Sequence, residues 1–372
     1  MKILQVVTLV SPDGAFGGPV RVAESQAAAL RDRGHAVTMV AGTWGYGSGA
    51  HGEPGSMLFP AHRMLPTRGF SGTASLSLQR WIMRYASTFD VVHIHLARDL
   101  VTLPVAWQVC RAGVPYVIQP QGMIDEPDHP LAAPLDTLLT RRILRGAGRV
   151  LYLRPVERQS LERVSRGGIR LQLQHNAVRA QDDVPDRPTR PEVLFLSRLH
   201  PRKRPMAFVT MARALLDEGV DASFVLVGPD EGEGAAVRQA VTEVGDPGRL
   251  RWEGSIDRRE VVARIGRSSF MVMPAIDEPY ATVILESLSL GRAVVLLDDN
   301  GLAPEVEASG CGLVVDDSAE QLVGATRRLL ADPHLLDQLS TAALRASREH
   351  FSLAAVAAQL ETLYTEVIAT HS

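Results

Sequence analysis

Short uninterrupted apolar runs alternate with amphipathic stretches along this chain. Lys2 to Leu9 (KILQVVTL) is apolar and β-branched, and a loop with Gly14, Gly17 and Gly18 follows it. VRVAESQAAALRDRG then places apolar residues at helical spacing and stops at Gly34, and HAVTMVAG reads as the next buried strand. The second half repeats the plan: EVLFLSRL is a strand, PMAFVTMARALLDEG a helix ended by Gly219, and ASFVLVGP another strand. Continuous apolar strands between amphipathic helices predict parallel sheets covered on both faces. Two such units in tandem predict two Rossmann-like, doubly wound α/β domains. Ligands of open parallel sheets bind beyond the carboxyl ends of the strands, so two such domains facing each other would frame one central cleft.

Length supports the same division, because 372 residues exceed one ordinary core. The proline-rich, charged and non-periodic stretch QDDVPDRPTRPE, Gln181 to Glu192, is the expected join, giving domains over 1–185 and 186–350. With 45% hydrophobic residues the chain is globular, and no apolar run reaches the length of a membrane span. The opening MKILQVVTLVSPDG does not read as a signal peptide. Its two cysteines, Cys110 and Cys311, are far apart, which predicts neither a disulfide framework nor a metal site. A reducing cytoplasm fits that usage.

Charge changes the picture in one place. The net charge is −3, yet Arg141, Arg142, Arg145, Arg149, Arg154, Arg158, Arg163, Arg166 and Arg170 crowd one stretch. One reading is a solvated helical face. The other is a basic surface toward anionic lipid headgroups or a phosphorylated acceptor, which would put the protein peripherally at the inner face of the membrane. Nucleic acid is disfavoured, since the chain is acidic overall and lacks basic strands interleaved with aromatics.

Three segments carry candidate chemistry. DGAFGGPVRVAE follows a strand and opens a helix, where glycines admit a close ligand and the helix N-terminus favours phosphate. An ordinary tight turn explains it equally well. It lacks the G-x-G-x-x-G spacing of dinucleotide sites, which disfavours a dehydrogenase. In LFLSRLHPRKRP, Arg198 ends a strand and Lys203 precedes the next helix. Two fixed cations there would stabilise a departing diphosphate without a metal, although clustered cations are also common on plain surface loops. In MVMPAIDEPYATVILESLSLGRAVV a buried strand, Phe270 to Pro274, leads to Asp277 and Glu278 in a loop and then to a helix through Glu286. Two helical glutamates at this spacing would lie ~12 Å apart, too far to act as a pair. From a loop and a helix, both can reach one elongated ligand. Glu286 suits a ribose diol, and Thr282 and Val283 offer free backbone N–H groups to phosphate. Against these stand helix electrostatics for Glu278 and a helical salt bridge for Glu286.

The combination resembles family 4 of the retaining glycosyltransferases, with the two-domain GT-B architecture. The residues carrying it are Gly17–Gly18, Arg198 with Lys203, and Glu278-Pro279-Tyr280 spaced to Glu286 as E-x7-E. DVVHIH (Asp90 to His95), HNAV (His175 to Val178) and EHFSLAAVAAQLETLY follow the family pattern in order, so the resemblance covers nearly the whole chain. It implies an enzyme that moves a sugar from a nucleoside diphosphate to a hydroxyl acceptor on a saccharide, lipid-linked saccharide or natural product, with retention and without metal or cofactor. Arg198 and Lys203 would hold the donor diphosphate, Glu286 the ribose and Glu278 the transferred sugar, with Gly17–Gly18 approaching from the first domain. The last helix, 351–372, would pack back on that domain.

Several positions depart from the family. Many members carry histidine in a T-x-H-G segment lining the acceptor and sugar site; here YVIQPQGMIDEP puts Gln121 in its place. A carboxamide hydrogen-bonds but is neither acid nor base at neutral pH. His95 offers a partial substitute, against the alternative of a strand-end histidine satisfied by backbone. Ala281 and Ala177 replace glycines of the family's E-P-F-G and N-G-V turns. Two further functions stay open at this point: a nucleotide-sugar epimerase of the same fold, and a non-catalytic nucleotide-sugar-binding protein.

Overall fold

The computed structural model describes residues 1–10, 17–44, 55–64, 71–124, 135–181, 183–278 and 280–371. Gly14 and Pro279, singled out above, lie outside the described residues. The chain divides into two compact units, Met1–Ala177 with Leu353–Ser372, and Val178–Ser352.

In the first unit the strands are β1 (Lys2–Val10), β2 (Ala36–Thr43), β3 (Ser56–Pro60), a small antiparallel pair β4 (His62–Arg63) and β5 (Thr73–Ala74), then β6 (Val91–Ile94), β7 (Tyr116–Ile118), β8 (Arg149–Tyr152) and β9 (Leu171–Leu173). Seven of them form one parallel sheet in the order β3-β2-β1-β6-β7-β8-β9. The amphipathic stretch after the first glycine loop forms the helix Gly17–Asp32, and Gly34 follows at a positive φ of 87° that a side chain rarely adopts. Strand alternation splits the core. Leu4, Val92 and Ile118 face one cluster, whereas Ile3, Val91 and Val117 face another built with the helix Leu353–His371. That helix buries Val356, Leu360, Leu363, Tyr364 and Val367, side chains worth roughly 1.5–3 kcal/mol each on burial. Gly148 lets it approach, since a Cβ there would lie 2.4 Å from Val367.

The second unit contains β10 (Glu192–Leu196), β11 (Ser223–Val227), β12 (Leu250–Trp252), β13 (Phe270–Met273), β14 (Ala293–Leu297) and β15 (Gly312–Val315), all parallel, in the order β12-β11-β10-β13-β14-β15. Every residue of β11, β13 and β14 is buried, as the uninterrupted apolar runs require. The Gln181–Glu192 stretch is not a free join. The units part at Ala177 and Val178, and the stretch docks onto the second unit: buried Arg292 donates to the Pro185 carbonyl at 2.6 Å and to Gly266 at 2.8 Å.

Both sheets reverse direction beside their first strand, between β1 and β6 and between β10 and β13. These switch points open crevices at the carboxyl ends of the flanking strands.

Candidate functional site

At the switch point of the second unit, β10 ends at Leu196, and Arg198 follows two residues on. Close approach of β11 shapes this exit. Gly228 has φ 146°, and a Cβ there would sit 1.9 Å from the Ser197 carbonyl oxygen. His200 caps a single 3-10 turn, Pro201–Lys203, accepting from the Arg202 N–H at 3.2 Å. Arg204 turns left-handed, and the helix Pro205–Asp217 begins.

The neighbouring exit, after β13, is fastened to that turn. Ile276 N–H donates to the Arg202 carbonyl at 2.9 Å, and the Arg202 guanidinium donates to the Asp277 carbonyl. Asp277 has φ 49°; its N–H donates to Asp299 at 3.0 Å, and the Glu278 carbonyl accepts from Gly301 at 2.9 Å. A strained loop residue persists where its surroundings fix it, and this loop is fixed on both flanks. The result is direct contact between the Lys203 ammonium and the Glu278 carboxylate, both largely buried. Burial, then the Arg198 and Arg202 charges, push Lys203 down to about 8, with Glu231 opposing. The touching Glu278 carboxylate opposes it too. Arg198 is more open, 58% exposed at the side chain, and pairs with Glu231 at 2.7 Å. Thr282 and Val283 begin the helix Thr282–Ser289, whose N-cap Ala281 contributes no side-chain hydrogen bond. Glu286 lies one turn further, half-buried. Arg198, Lys203 and Glu278 are therefore brought together, with the α-helical residues on the next segment of the same unit.

Gly17 and Gly18 belong to the first unit, where they open the helix Gly17–Asp32. His95 and Gln121 are also there, and they meet: Gln121 Nε2 lies 2.9 Å from His95 Nδ1. His95 is fully buried, stacked on His93 with ring centroids 4.7 Å apart. Burial pushes its pKa well below the usual histidine value, and His93 adds to this. A sealed, neutral imidazole is not itself a group that a ligand can reach, and Gln121 lies between His95 and the surface turn. Gln121 is half-buried at φ 53°, and the next N–H, of Gly122, donates to Glu157 at 2.6 Å.

Sequence reasoning missed Glu231, Asp299 and Gly228 as parts of the cationic site. Glu231 and Gly228 lie in the charged, glycine-rich loop GPDEGEG after β11, which has no motif of its own. The partner of Arg198 depends on a contact between strand exits 33 residues apart. In the basic stretch, Arg141 donates to the Val164 carbonyl at 2.9 Å and Arg145 to Gly167 at 3.2 Å, satisfying the end of the helix Pro155–Ser165. Arg149 and Arg158 pair with Glu366 and Glu162. Among the described residues no helix is long and apolar enough to cross a membrane.

Two family models match in succession: a glycosyl transferase 4-like domain over residues 17–177, and glycosyl transferases group 1 over residues 179–346. The chain belongs to the group 1 glycosyltransferases, family 4. An alpha-D-kanosaminyltransferase of Streptomyces kanamyceticus is 26% identical over 281 residues, covering 68% of this chain and 71% of the relative. A D-inositol 3-phosphate glycosyltransferase of Corynebacterium glutamicum is 29% identical over 186 residues, covering 48% of this chain and 44% of that one. Among solved structures, sucrose-phosphate synthase of Thermosynechococcus elongatus superposes with a TM-score of 0.70 at 18% identity over 100% of both chains. Anabaena Alr3699/HepE, solved in complex with UDP, gives 0.72 at 18% identity over 98% of this chain and 100% of that one. The fold is GT-B, two Rossmann-like domains. The protein is a retaining, nucleotide-sugar-dependent glycosyltransferase that transfers a sugar to an acceptor. Transfer, rather than isomerisation or binding alone, is the activity this family carries.

Proposed function

We propose that the second unit holds the donor diphosphate on Arg198 and Lys203, and that the first unit receives the acceptor hydroxyl. One observation carries the reading: two cations and Glu278 meet at the carboxyl ends of β10 and β13, the switch point where such sheets bind ligands. Arg198 and Lys203 supply the positive charge that the departing diphosphate requires, so the step needs no metal. Thr282 and Val283 offer N–H groups to phosphate, Glu286 accepts from the ribose diol, and Glu278 contacts the transferred sugar. Gly17 and Gly18 admit the diphosphate at the start of the first helix. In the transfer, the bond from the anomeric carbon to the leaving phosphate breaks and a bond to the acceptor oxygen forms on the same face. The leaving phosphate takes the acceptor's proton, which balances the step.

UDP-sugars lead the donor panel because HepE was solved with UDP and with UDP-glucose; the acceptor class is a hydroxyl of a saccharide, lipid-linked saccharide or natural product. Thermal shifts with UDP-, GDP-, ADP- and dTDP-sugars identify the base, since a ligand selective for the native state raises the melting point. With the selected donor, Lys203→Ala and Glu278→Ala each lower turnover by about 100-fold or more while the protein stays folded. Wild-type rates in both variants would refute the assignment.

A further inference from the structure

Beneath the Gln121 turn, the first unit buries a column of polar side chains where its neighbours along the same strands are apolar. Ile3, Val91 and Val117 lie on the sheet face covered by the helix Leu353–His371. Two residues further along each strand, on the same face, come Gln5, His93 and Gln119, with His95 beyond His93. All four are buried. His93 Nδ1 lies 2.6 Å from Tyr364 Oη, and Gln26 donates to Gln119 Oε1 at 3.2 Å. From this column one contact leads outward, the 2.9 Å contact from His95 Nδ1 to Gln121 Nε2.

In this arrangement the carboxamide nitrogen donates, His95 Nδ1 accepts, and the ring proton sits on Nε2, which has no partner among the described residues. A protonated imidazole would oppose donor to donor, and burial keeps the ring neutral. With its nitrogen held inward, the Gln121 carboxamide turns its oxygen away from His95. The left-handed backbone at Gln121, φ 53°, is a conformation that a residue other than glycine holds only where its surroundings fix it.

We propose that His95 is a positioning residue of this transferase: it fixes the Gln121 carboxamide so that the carbonyl oxygen meets a ring hydroxyl of the substrate as a hydrogen-bond acceptor. The inference rests on the reading of the first unit as the acceptor side. It predicts that this position selects a hydroxyl that donates, and does so without acid or base chemistry.

The test uses the full chain with 15N-labelled histidine. Long-range 15N–1H spectra are expected to show His95 as the neutral Nε2–H tautomer from pH 5.5 to 8. Gln121→Glu removes the donor and adds a carboxylate, so His95 must gain a proton on Nδ1, as the neutral Nδ1–H tautomer or as the charged ring. A charged or Nδ1–H His95 in the wild type, or an Nδ1 that stays unprotonated in Gln121→Glu, overturns the proposal. Turnover is read with the nucleotide sugar giving the largest thermal shift. His95→Leu is expected to lower kcat about tenfold, the value of one hydrogen bond, with donor KM unchanged. His95→Asn, whose Oδ1 falls near the Nδ1 position, restores kcat to within about threefold. Equal rates for the two variants overturn it. Should His95→Leu fail to fold, the Nδ1 proton decides alone. Lys203→Ala in the same assay separates the two failures. If it is inactive while His95→Leu matches wild type, only this inference falls; if it is active, the donor reading falls.

Discussion

In the second unit both candidate cations face carboxylates, Arg198 meeting Glu231 at 2.7 Å and Lys203 touching Glu278. In the first unit the candidate residues carry no charge, and buried His95 engages a carboxamide. The two groups follow different rules. An unpaired charge is costly to bury, so cations that wait for a polyanion stay partly exposed or keep a carboxylate until it arrives. Neutral polar groups need only hydrogen-bond partners, so they can sit deep and be fixed by the core. The charged group should therefore respond to salt, pH and charge substitution, and the neutral group to geometry alone.

The largest break in this contrast is expected from Gly228→Ala. The added Cβ would collide with the Ser197 carbonyl, 1.9 Å away, one residue before Arg198. Backbone at this close approach has no flexible atom to yield. A cost of about 2–4 kcal/mol lowers the melting temperature by ~5 °C or more, and nucleotide affinity falls over roughly tenfold as Arg198 moves. Calorimetry and titration with the selected nucleoside diphosphate measure both. The His95 tautomer should not change, and unaltered melting and affinity would show that the strand exits are not fixed as described.

A smaller effect follows from pH. Lys203 is pushed down to about 8, so its ammonium is present below that pH and lost above it. For a nucleotide sugar, whose diphosphate has no proton titrating near neutrality, affinity should be flat below pH 8 and fall as pH rises through it, and Lys203→Ala should flatten that limb. The sign for stability is opposite. The folded protein holds the Lys203 proton less tightly than the unfolded chain, so its burial opposes folding below about 8, and this cost fades between there and the ordinary 10.5. His95, held neutral by burial, should contribute no change over the same range. A falling limb that persists in Lys203→Ala would assign the titration elsewhere.

Much of this was legible in the sequence, for a physical reason. Strands buried on both faces leave uninterrupted apolar runs such as Ser223–Val227, and helix ends leave glycines such as Gly34 and Gly219. Strand-exit cations follow from those boundaries, which is why Arg198 and Lys203 could be picked by position. What was not legible depends on contacts between segments distant in the chain. Lys203 meets Glu278 across 75 residues, and Gln121 meets His95 across 26. His95 read as a strand-end histidine with a possible direct role; only the packing of Leu353–His371 over His93 seals that face of the sheet. The Gln181–Glu192 stretch read as a join because prolines and charges mark surfaces, and nothing local shows that distant Arg292 holds its carbonyls.

The finest test of the contrast is Glu231→Gln. Glu231 sits on a turn held by Asp230, which accepts from the Gly232 and Gly234 N–H groups at 3.0 and 2.8 Å, so its carboxylate stays beside Arg198. In the free protein that carboxylate competes with diphosphate for the guanidinium. An exposed pair of this kind is worth up to ~1 kcal/mol, so its removal should tighten nucleoside diphosphate binding by about two- to fivefold at low salt. The gain should shrink as salt screens the pair. The same substitution made with a bound neutral sugar as ligand should change nothing. Weaker nucleotide binding in Glu231→Gln would mean that Glu231 touches the ligand favourably, and the charged group would then be a site completed by its carboxylates, with no exchange of partners.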